Sequence, residues 1–153
     1  MTATIDHAAA ALAYDLPKVG EKLAVQPFGA CGMDDLRRYA IASGDDNPIH
    51  LDPQLARQAG LPAPPVHGML LMSRFVPALA IWRPDLALIR LSSKFLRPIF
   101  IEETGELSGR VVQITPGESP GEPTKFLLRL MMHNERRELT LIAEAVTIRK
   151  PVV

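Results

Sequence analysis

The chain has 153 residues, and 47% of them are hydrophobic. This size fits one compact domain with a normal core and leaves little room for two. Seventeen basic and 17 acidic residues give a net charge of zero, so no global field would attract a nucleic acid or an anionic membrane. The single cysteine, Cys31, excludes an internal disulfide and a cysteine-cluster metal site, which is typical of a reducing cytoplasm.

The first residues contain an apolar run at 8–13, but no Lys or Arg precedes Lys18, so the basic region of a signal peptide is missing. We expect residues 1–14 to be a frayed segment and residues 15–153 to form a single domain. The most apolar stretch, Met69–Trp82, is about 14 residues long and too short to span a bilayer. We therefore expect a protein without a membrane span.

A helix is predicted over residues 33–43. Four side chains recur at helical spacing and form one stripe facing a core: Leu36, Tyr39, Ala40 and Ser43. Gly44 follows, and glycine favours the left-handed conformation that ends many helices. Asp45 should therefore lie at the end of an element, where its carboxylate can point into a cleft.

The loop after this helix is short and stiff. Pro48 pushes Asn47 into extended backbone, so few conformations are lost when the loop forms a site. Asp52 and the following proline then open a second short helix, which Gly60 ends. His50 should therefore lie just ahead of a helix start.

A rigid, proline-rich connector over residues 61–66 leads to His67 and Gly68 at the start of an apolar helix, 69–82. The first amides of a helix lack internal partners and carry the positive end of its dipole. Glycine at such a position lets a ligand approach the backbone closely. Pro77 should kink this helix because it removes one helical hydrogen bond.

After residues 83–85 the pattern changes to strands. Alternating or apolar runs are predicted as strands at 89–95, 99–114, 125–132 and 139–149, with a loop at 115–124. Helices followed by antiparallel strands predict an α+β fold in which a sheet wraps the apolar helix. Such a sheet has long edges, so we expect a homodimer.

Asp45 and His50 form a candidate acid/base pair. A carboxylate and an imidazole close to one water can together remove and deliver protons. The adjacent Asp46 is interpreted as a solvated loop residue. The spacing of His50 and His67 with one carboxylate matches no metal template, so we expect neither a metal nor a cofactor.

The motif SGDDNPIH at 43–50, followed by HGM at 67–69, resembles the MaoC-type (R)-specific enoyl-CoA hydratases and 3-hydroxyacyl-thioester dehydratases. The family patterns are Ser-Gly-Asp-x-Asn-Pro-x-His and His-Gly-Met, and every defined position of both is matched. The likeness extends more loosely to Lys94–Pro98 and covers residues 15 to 150. One departure is visible at 102–105, where Glu-Glu-Thr-Gly replaces the Gly-Asp of many relatives.

The resemblance implies a hot-dog fold, an antiparallel sheet wrapped around a central apolar helix. It also implies reversible syn addition of water to a trans-2-enoyl thioester, giving the (3R)-3-hydroxyacyl product. Asp45 and His50 would be the catalytic residues, and which of them deprotonates the water is left open. The Gly68 N–H would stabilise the enolate that forms at the thioester oxygen.

The remaining site residues have less direct roles. Asn47 would orient the pair or the loop through its amide. His67 is a possible substrate contact or a structural hydrogen-bonding residue. Met69 is first a core residue and second a possible lining of the acyl pocket.

The expected partners are an acyl-CoA or acyl-carrier-protein thioester and a second copy of the chain, in the cytoplasm. Two other functions are weighed against this interpretation. A hot-dog thioesterase would also use a carboxylate near the central helix, but the Asn47-Pro48-x-His50 continuation argues against it. A non-catalytic acyl-thioester-binding module would need neither Asp45 nor His50.

Overall fold

A computed structural model describes residues 14–151, so the segment expected to fray, 1–14, lies almost wholly outside the described residues. The sheet has five antiparallel strands in the order β1-β3-β4-β5-β2. The strands are β1 Lys22–Phe28, β2 Leu86–Phe95, β3 Gly105–Thr115, β4 Lys125–Asn134 and β5 Leu139–Arg149. The helices are α1 Met33–Ser43, a 3-10 helix Pro48–His50, α2 Pro53–Gln58, α3 Gly68–Ser73 and α4 Phe75–Trp82. Within residues 14–151, no helix has the length and apolar character needed to cross a membrane.

One face of the sheet packs on the central helices. Every second residue of β4 is buried, and the four apolar ones are at most 2% exposed: Phe126, Leu128, Leu130 and Met132. Phe75 of α4 is fully buried in the same core. The period of two along the strands thus places one apolar row against the helices. This arrangement confirms the predicted α+β hot-dog fold.

The central helix is interrupted. A single helix was expected over 69–82 with a kink at Pro77, but α3 ends at Ser73 and α4 begins at Phe75. The reason is that Pro77 has no N–H to donate to the Ser73 carbonyl, and its ring clashes with that group. At Arg74, between the two helices, the N–H instead donates to the Leu71 carbonyl at 3.0 Å. The break therefore lies one turn before the proline.

The central helices are also less covered than expected. Leu71, Ala78 and Leu79 are buried, but Met69 and Ile81 are 54% and 75% exposed in the single chain. The sheet of one chain therefore covers only one side of these helices. An apolar surface remains on the other side.

The first strand, β1, was not predicted. It lies at the edge of the sheet, pairs with β3, and has a bulge between Leu23 and Gln26. An edge strand buries little, and β1 contains Pro27, so the alternation that marks a strand is weak. The sequence pattern of β1 therefore resembles that of a loop, although its backbone forms hydrogen bonds with β3.

The predicted strand over 99–114 was too long, because β3 begins only at Gly105. Residues before it leave the sheet and pair with the proline-rich connector: the Val66 N–H donates to the Ile99 carbonyl at 2.8 Å. Glu102 then adopts a positive φ of 65°, a turn conformation. These contacts fix the connector that carries His67.

The turn after α4 contains a buried ion pair. Arg83 donates two hydrogen bonds of 2.7 Å to the carboxylate of Asp85, and a third of 3.0 Å to Glu21. The side chains of Arg83 and Asp85 are 5% and 0% exposed. Hydrogen bonding to Asp85 raises the pKa of Arg83, with a further contribution from Glu21. This charge pair fixes the corner between α4 and β2.

Candidate active site

The site begins where α1 ends. Gly44 has a φ of 77°, and its N–H donates to the Ala40 carbonyl at 2.9 Å, so glycine ends the helix as predicted. Ser43 was expected to face the core, but it is exposed. It lies in the last turn, where its hydroxyl donates to the Tyr39 carbonyl at 2.7 Å and accepts from the Asp45 N–H at 3.2 Å. Ser43 therefore connects the helix end to Asp45.

Two side chains organise the loop between α1 and α2. Asn47 caps the 3-10 helix, because its side-chain oxygen accepts from the Ile49 N–H at 3.1 Å. The Asp45 carboxylate lies 3.5 Å from the Asn47 N–H. Asp52 caps α2 by accepting from the Gln54 N–H at 2.7 Å. The short polar side chains thus define the backbone that carries Asp45 and His50.

His50 is held by the proline-rich connector. Its Nδ1 lies 2.7 Å from the backbone carbonyl of Pro65, and a carbonyl only accepts, so Nδ1 carries the proton. In the neutral ring, Nε2 then has a free lone pair. A backbone contact across 15 residues therefore defines which nitrogen of His50 can accept a proton.

His67 lies beneath the loop and is 1% exposed. Its Nε2 donates to the backbone carbonyl of Asp45 at 3.1 Å. Its ring stacks on that of His50, with centroids 4.0 Å apart and planes inclined by 26°, and the tilted ring of Tyr39 lies 4.9 Å away. Among the described residues, none forms a hydrogen bond with the buried Nδ1 of His67.

Burial lowers the pKa of His67 below its usual value of 6.5, and the nearby imidazole of His50 lowers it further. The hydrogen bond to the Asp45 carbonyl and the Asp45 charge act in the opposite direction and are weaker. Desolvation disfavours the charged imidazolium, which explains the direction. His67 is therefore a neutral imidazole at pH 7.

Asp45, His50 and His67 come together in space. One nitrogen of each histidine and one carboxylate oxygen of Asp45 all lie within 4.8 Å of one another. Such a trio suggests a metal site, but an imidazole binds a metal in the plane of its ring at about 2.0–2.1 Å. Since the two rings are stacked nearly face to face, their lone pairs lie in nearly parallel planes and do not converge on one ion. The arrangement suits proton transfer better than metal binding.

Gly68 is the first residue of α3. The first hydrogen bond within this helix runs from the Leu71 N–H to the His67 carbonyl at 3.1 Å, so the Gly68 N–H precedes the bonded turn. A Cβ at Gly68 would lie 2.9 Å from the ring of Phe95. Glycine is needed here because an aromatic ring occupies the space beside it.

Sequence reasoning missed Phe95 as a neighbour of the site. It was assigned to a strand, and Phe95 is indeed the last residue of β2. The residue is 46% exposed, and its ring lies beside Gly68. The contact joins residues that are far apart in sequence, so no local motif indicates it. Met69, the second residue of α3, is 54% exposed. Asp45 and Asp46 are also exposed, on the loop after α1.

The MaoC-like domain family matches residues 16–125 of the chain. This match covers more than half of the sequence and includes both motifs of the site. The chain therefore belongs to the MaoC-like family of hydratases and dehydratases.

Individual relatives agree with this assignment. A mitochondrial 3-hydroxyacyl-[acyl-carrier-protein] dehydratase from Arabidopsis thaliana is 36% identical over 122 residues, which are 78% of this chain and 71% of the relative. An (R)-specific enoyl-CoA hydratase from Aeromonas caviae is 38% identical over 95 residues, or 59% of this chain and 69% of the relative. The solved (R)-hydratase of A. caviae involved in PHA biosynthesis superimposes with a TM-score of 0.75 at 27% identity, covering 90% of this chain and all of that one.

Proposed function

We propose that the chain catalyses the reversible, (R)-specific hydration of trans-2-enoyl-CoA. Water adds across the double bond, with hydroxyl at C3 and hydrogen at C2 on the same face, and the product is (3R)-3-hydroxyacyl-CoA. The observation that supports this is the cluster in which the Asp45 carboxylate and a His50 nitrogen lie within 4.8 Å, close to the start of α3. Family membership supports the reaction class.

Asp45 and His50 can carry out both proton transfers of the reaction. A water between the Asp45 carboxylate and the free Nε2 of His50 can lose a proton as its oxygen bonds to C3. The same network then supplies the proton that C2 gains. Because both groups lie on one side of the site, addition on one face follows. The reaction balances without a cofactor, since a water is consumed and no electrons are transferred.

The electrons of the double bond move to the thioester oxygen, which becomes an enolate. We assign the Gly68 N–H to this oxygen, because it precedes the bonded turn of α3. Removal of one donor to such an oxyanion typically costs about 3–4 kcal/mol. Asn47 positions the loop through its cap of the 3-10 helix. Met69, exposed beside Gly68, is the proposed contact with the acyl chain.

The function is tested by adding the protein to crotonyl-CoA and following the loss of enone absorbance, with chiral analysis of the product. We expect the (3R) alcohol. Release of free thiol would instead support a thioesterase. Binding without either change, detected by calorimetry, would support an acyl-thioester-binding module.

The carrier is tested by offering the same acyl group on coenzyme A and on acyl carrier protein. We propose that coenzyme A is used, as in the name of the A. caviae relative, whereas the Arabidopsis relative is named for acyl carrier protein. A kcat/KM at least tenfold higher on the carrier-protein thioester would overturn this choice. For localisation we propose the cytoplasm, which fractionation of the source cells tests.

We propose that two copies of the chain form a homodimer. Five partly exposed apolar side chains of α3, α4 and β2 support this: Met69, Val76, Ile81, Ile89 and Phe95. Among the described strands β2 pairs with β5 alone, so its other edge offers backbone groups to a second copy. Ile81→Glu should give a monomer in sedimentation, and Ile41→Glu on α1, where Ile41 is 86% exposed, should leave a dimer. A monomeric wild type would contradict the proposal.

A further inference from the structure

We propose that His67 is a positioning residue: it holds the Asp45 backbone with one ring nitrogen and supports the His50 ring with one ring face. This inference rests on the proposed hydratase function, because it concerns the geometry of that site. At 1% exposure, His67 lies beneath Asp45 and His50 and is shielded from substrate. It acts on the reaction through these two residues.

The first contact ties two distant segments together. The Nε2–H of His67 donates to the Asp45 carbonyl at 3.1 Å, across 22 residues. The other hydrogen bonds of Asp45 join it to Ser43 at the end of α1 and to Asn47 in the loop, both within two residues of Asp45. The contact with His67 therefore fixes the loop relative to α3, where Gly68 follows directly. A displacement of about 1 Å at a reacting group can cost about 100-fold in rate.

The second contact fixes the plane of the His50 ring. The bond from Nδ1 to the Pro65 carbonyl holds one edge of this ring at 2.7 Å. One bond still permits tilting about its own axis. Stacking on His67 at 4.0 Å, with an inclination of 26°, supports the ring face and limits that tilt. Together the two contacts define where Nε2 of His50 points.

His67 performs this role as a neutral ring. Its Nδ1 is buried and has no hydrogen-bond partner among the described residues, so a proton placed there would be uncompensated. Three groups face the ring: Asp45 from the loop, His50 from the 3-10 helix and Tyr39 from α1. A neutral His67 leaves His50 free to gain a proton during the reaction without repulsion from a second imidazolium.

Two variants separate the contacts. His67→Phe keeps a ring for stacking but lacks the N–H, and His67→Gln keeps an amide N–H near the position of Nε2. For His67→Phe we expect a kcat about 10- to 100-fold lower, with KM within about threefold, since geometry rather than binding is lost. His67→Gln should recover part of the kcat. The matched control is His133→Phe on β4, which should keep the wild-type kcat because, among the described residues, His133 has no hydrogen bond or ring contact with Asp45, His50 or His67.

Two further measurements test the role of His67 without relying on enzymatic activity. The ¹⁵N shifts of the wild-type imidazoles at pH 7 should show His67 neutral, with the proton on Nε2. Amide hydrogen exchange over residues 45–50 should be faster in His67→Phe than in wild type. These measurements distinguish the failure of this inference from failure of the hydratase proposal.

Each outcome of these experiments either supports or overturns the proposed role of His67. Wild-type kcat in a folded His67→Phe, a proton on Nδ1 of His67, or unchanged exchange over residues 45–50 would overturn the role of His67. If the wild type hydrates no enoyl thioester but exchange rises in the variant, the hydratase proposal fails and the positioning contact stands. If His67→Phe does not fold, the kcat of His67→Gln and the wild-type ¹⁵N shifts decide.

Discussion

At the corner after α4, the Arg83 guanidinium meets the Asp85 carboxylate through two 2.7 Å hydrogen bonds and Glu21 through a third. At the end of α1, by contrast, His50 and His67 each donate one hydrogen bond to a backbone carbonyl. Both regions bury polar side chains. The corner pairs opposite charges, whereas the site holds two imidazole rings, each by a hydrogen bond from one of its two nitrogens.

This difference separates a structural cluster from a reactive one. A buried charge is tolerated only when its partners satisfy it, and Asp85 and Glu21 do so for Arg83. A histidine held by one nitrogen can still accept a proton at the other. Changes at the corner should therefore affect stability, and changes at the site should affect rate.

The largest effect is expected from His50→Ala, which removes one of the two proposed proton-transfer groups. The kcat for hydration of crotonyl-CoA should fall by about 10²–10⁴-fold. Stability should change little because the ring is only half-buried. Rate assays combined with urea unfolding test both statements. A large fall in the free energy of unfolding of His50→Ala would contradict this prediction and would assign His50 a structural role like that of Arg83.

Arg83→Met should reverse this pattern. It leaves the Asp85 carboxylate buried without its main partner, so the free energy of unfolding should fall by about 3–5 kcal/mol. The kcat of the folded fraction should stay at the wild-type value. Arg97→Met is the matched control, because its bridge to Glu138 is exposed to solvent and exposed ion pairs contribute little to stability. Equal losses for the two variants, measured by urea unfolding, would refute the distinction.

A smaller effect is expected from Gly68→Ala. Its Cβ would lie 2.9 Å from the Phe95 ring, so the ring or the start of α3 must shift. We expect about a tenfold loss of kcat, partly restored in Gly68→Ala/Phe95→Leu. Gly29→Ala, where a Cβ would meet no atom within 4 Å, is the control. Full activity of Gly68→Ala would contradict the tight contact, since it would show that a methyl group fits beside the Phe95 ring without moving the Gly68 N–H.

The smallest effect concerns pH and His67. Its folded pKa lies below the usual 6.5, so below that pH the unfolded chain binds more protons than the folded one. The stability contributed by neutral His67 is present above pH 6.5 and is lost as the pH falls through this value. Between pH 7 and pH 5, the unfolding free energy should therefore drop more in wild type than in His67→Phe. Parallel curves would contradict the assigned burial.

Regular elements were predictable where local signals agreed. The bounds of α1 and β5 follow from their helical and alternating patterns, and Gly44 ends α1 with a positive φ. The edge strand β1 was not predicted, because its pairing partner β3 is distant in sequence and its apolar alternation is weak. Pro77 correctly indicated a disruption of the central helix, but the prediction placed a kink at the proline and not a break at Arg74, one turn before it.

The sequence predicted which side chains to look for at the candidate site, and the structure brings Asp45, His50 and His67 together, whereas the sequence did not predict their contacts. The motif at 43–50 indicates Asp45 and His50 because residue types at fixed spacing identify an acid/base pair. His67 reaches the Asp45 carbonyl, and His50 reaches the Pro65 carbonyl. Backbone acceptors occur at every position, so no residue type marks these contacts. The ring of Phe95 beside Gly68 likewise depends on tertiary packing.

The most direct test of the proposed reaction compares Asp45→Asn with Asp46→Asn on crotonyl-CoA. The two residues are adjacent and both exposed, and only Asp45 lies in the cluster with His50 and His67. We predict that Asp45→Asn lowers the rate of (3R)-alcohol formation by about 10²–10⁴-fold, whereas Asp46→Asn stays within about threefold of wild type. Equal rates for the two variants would contradict the assignment of Asp45 to the chemistry.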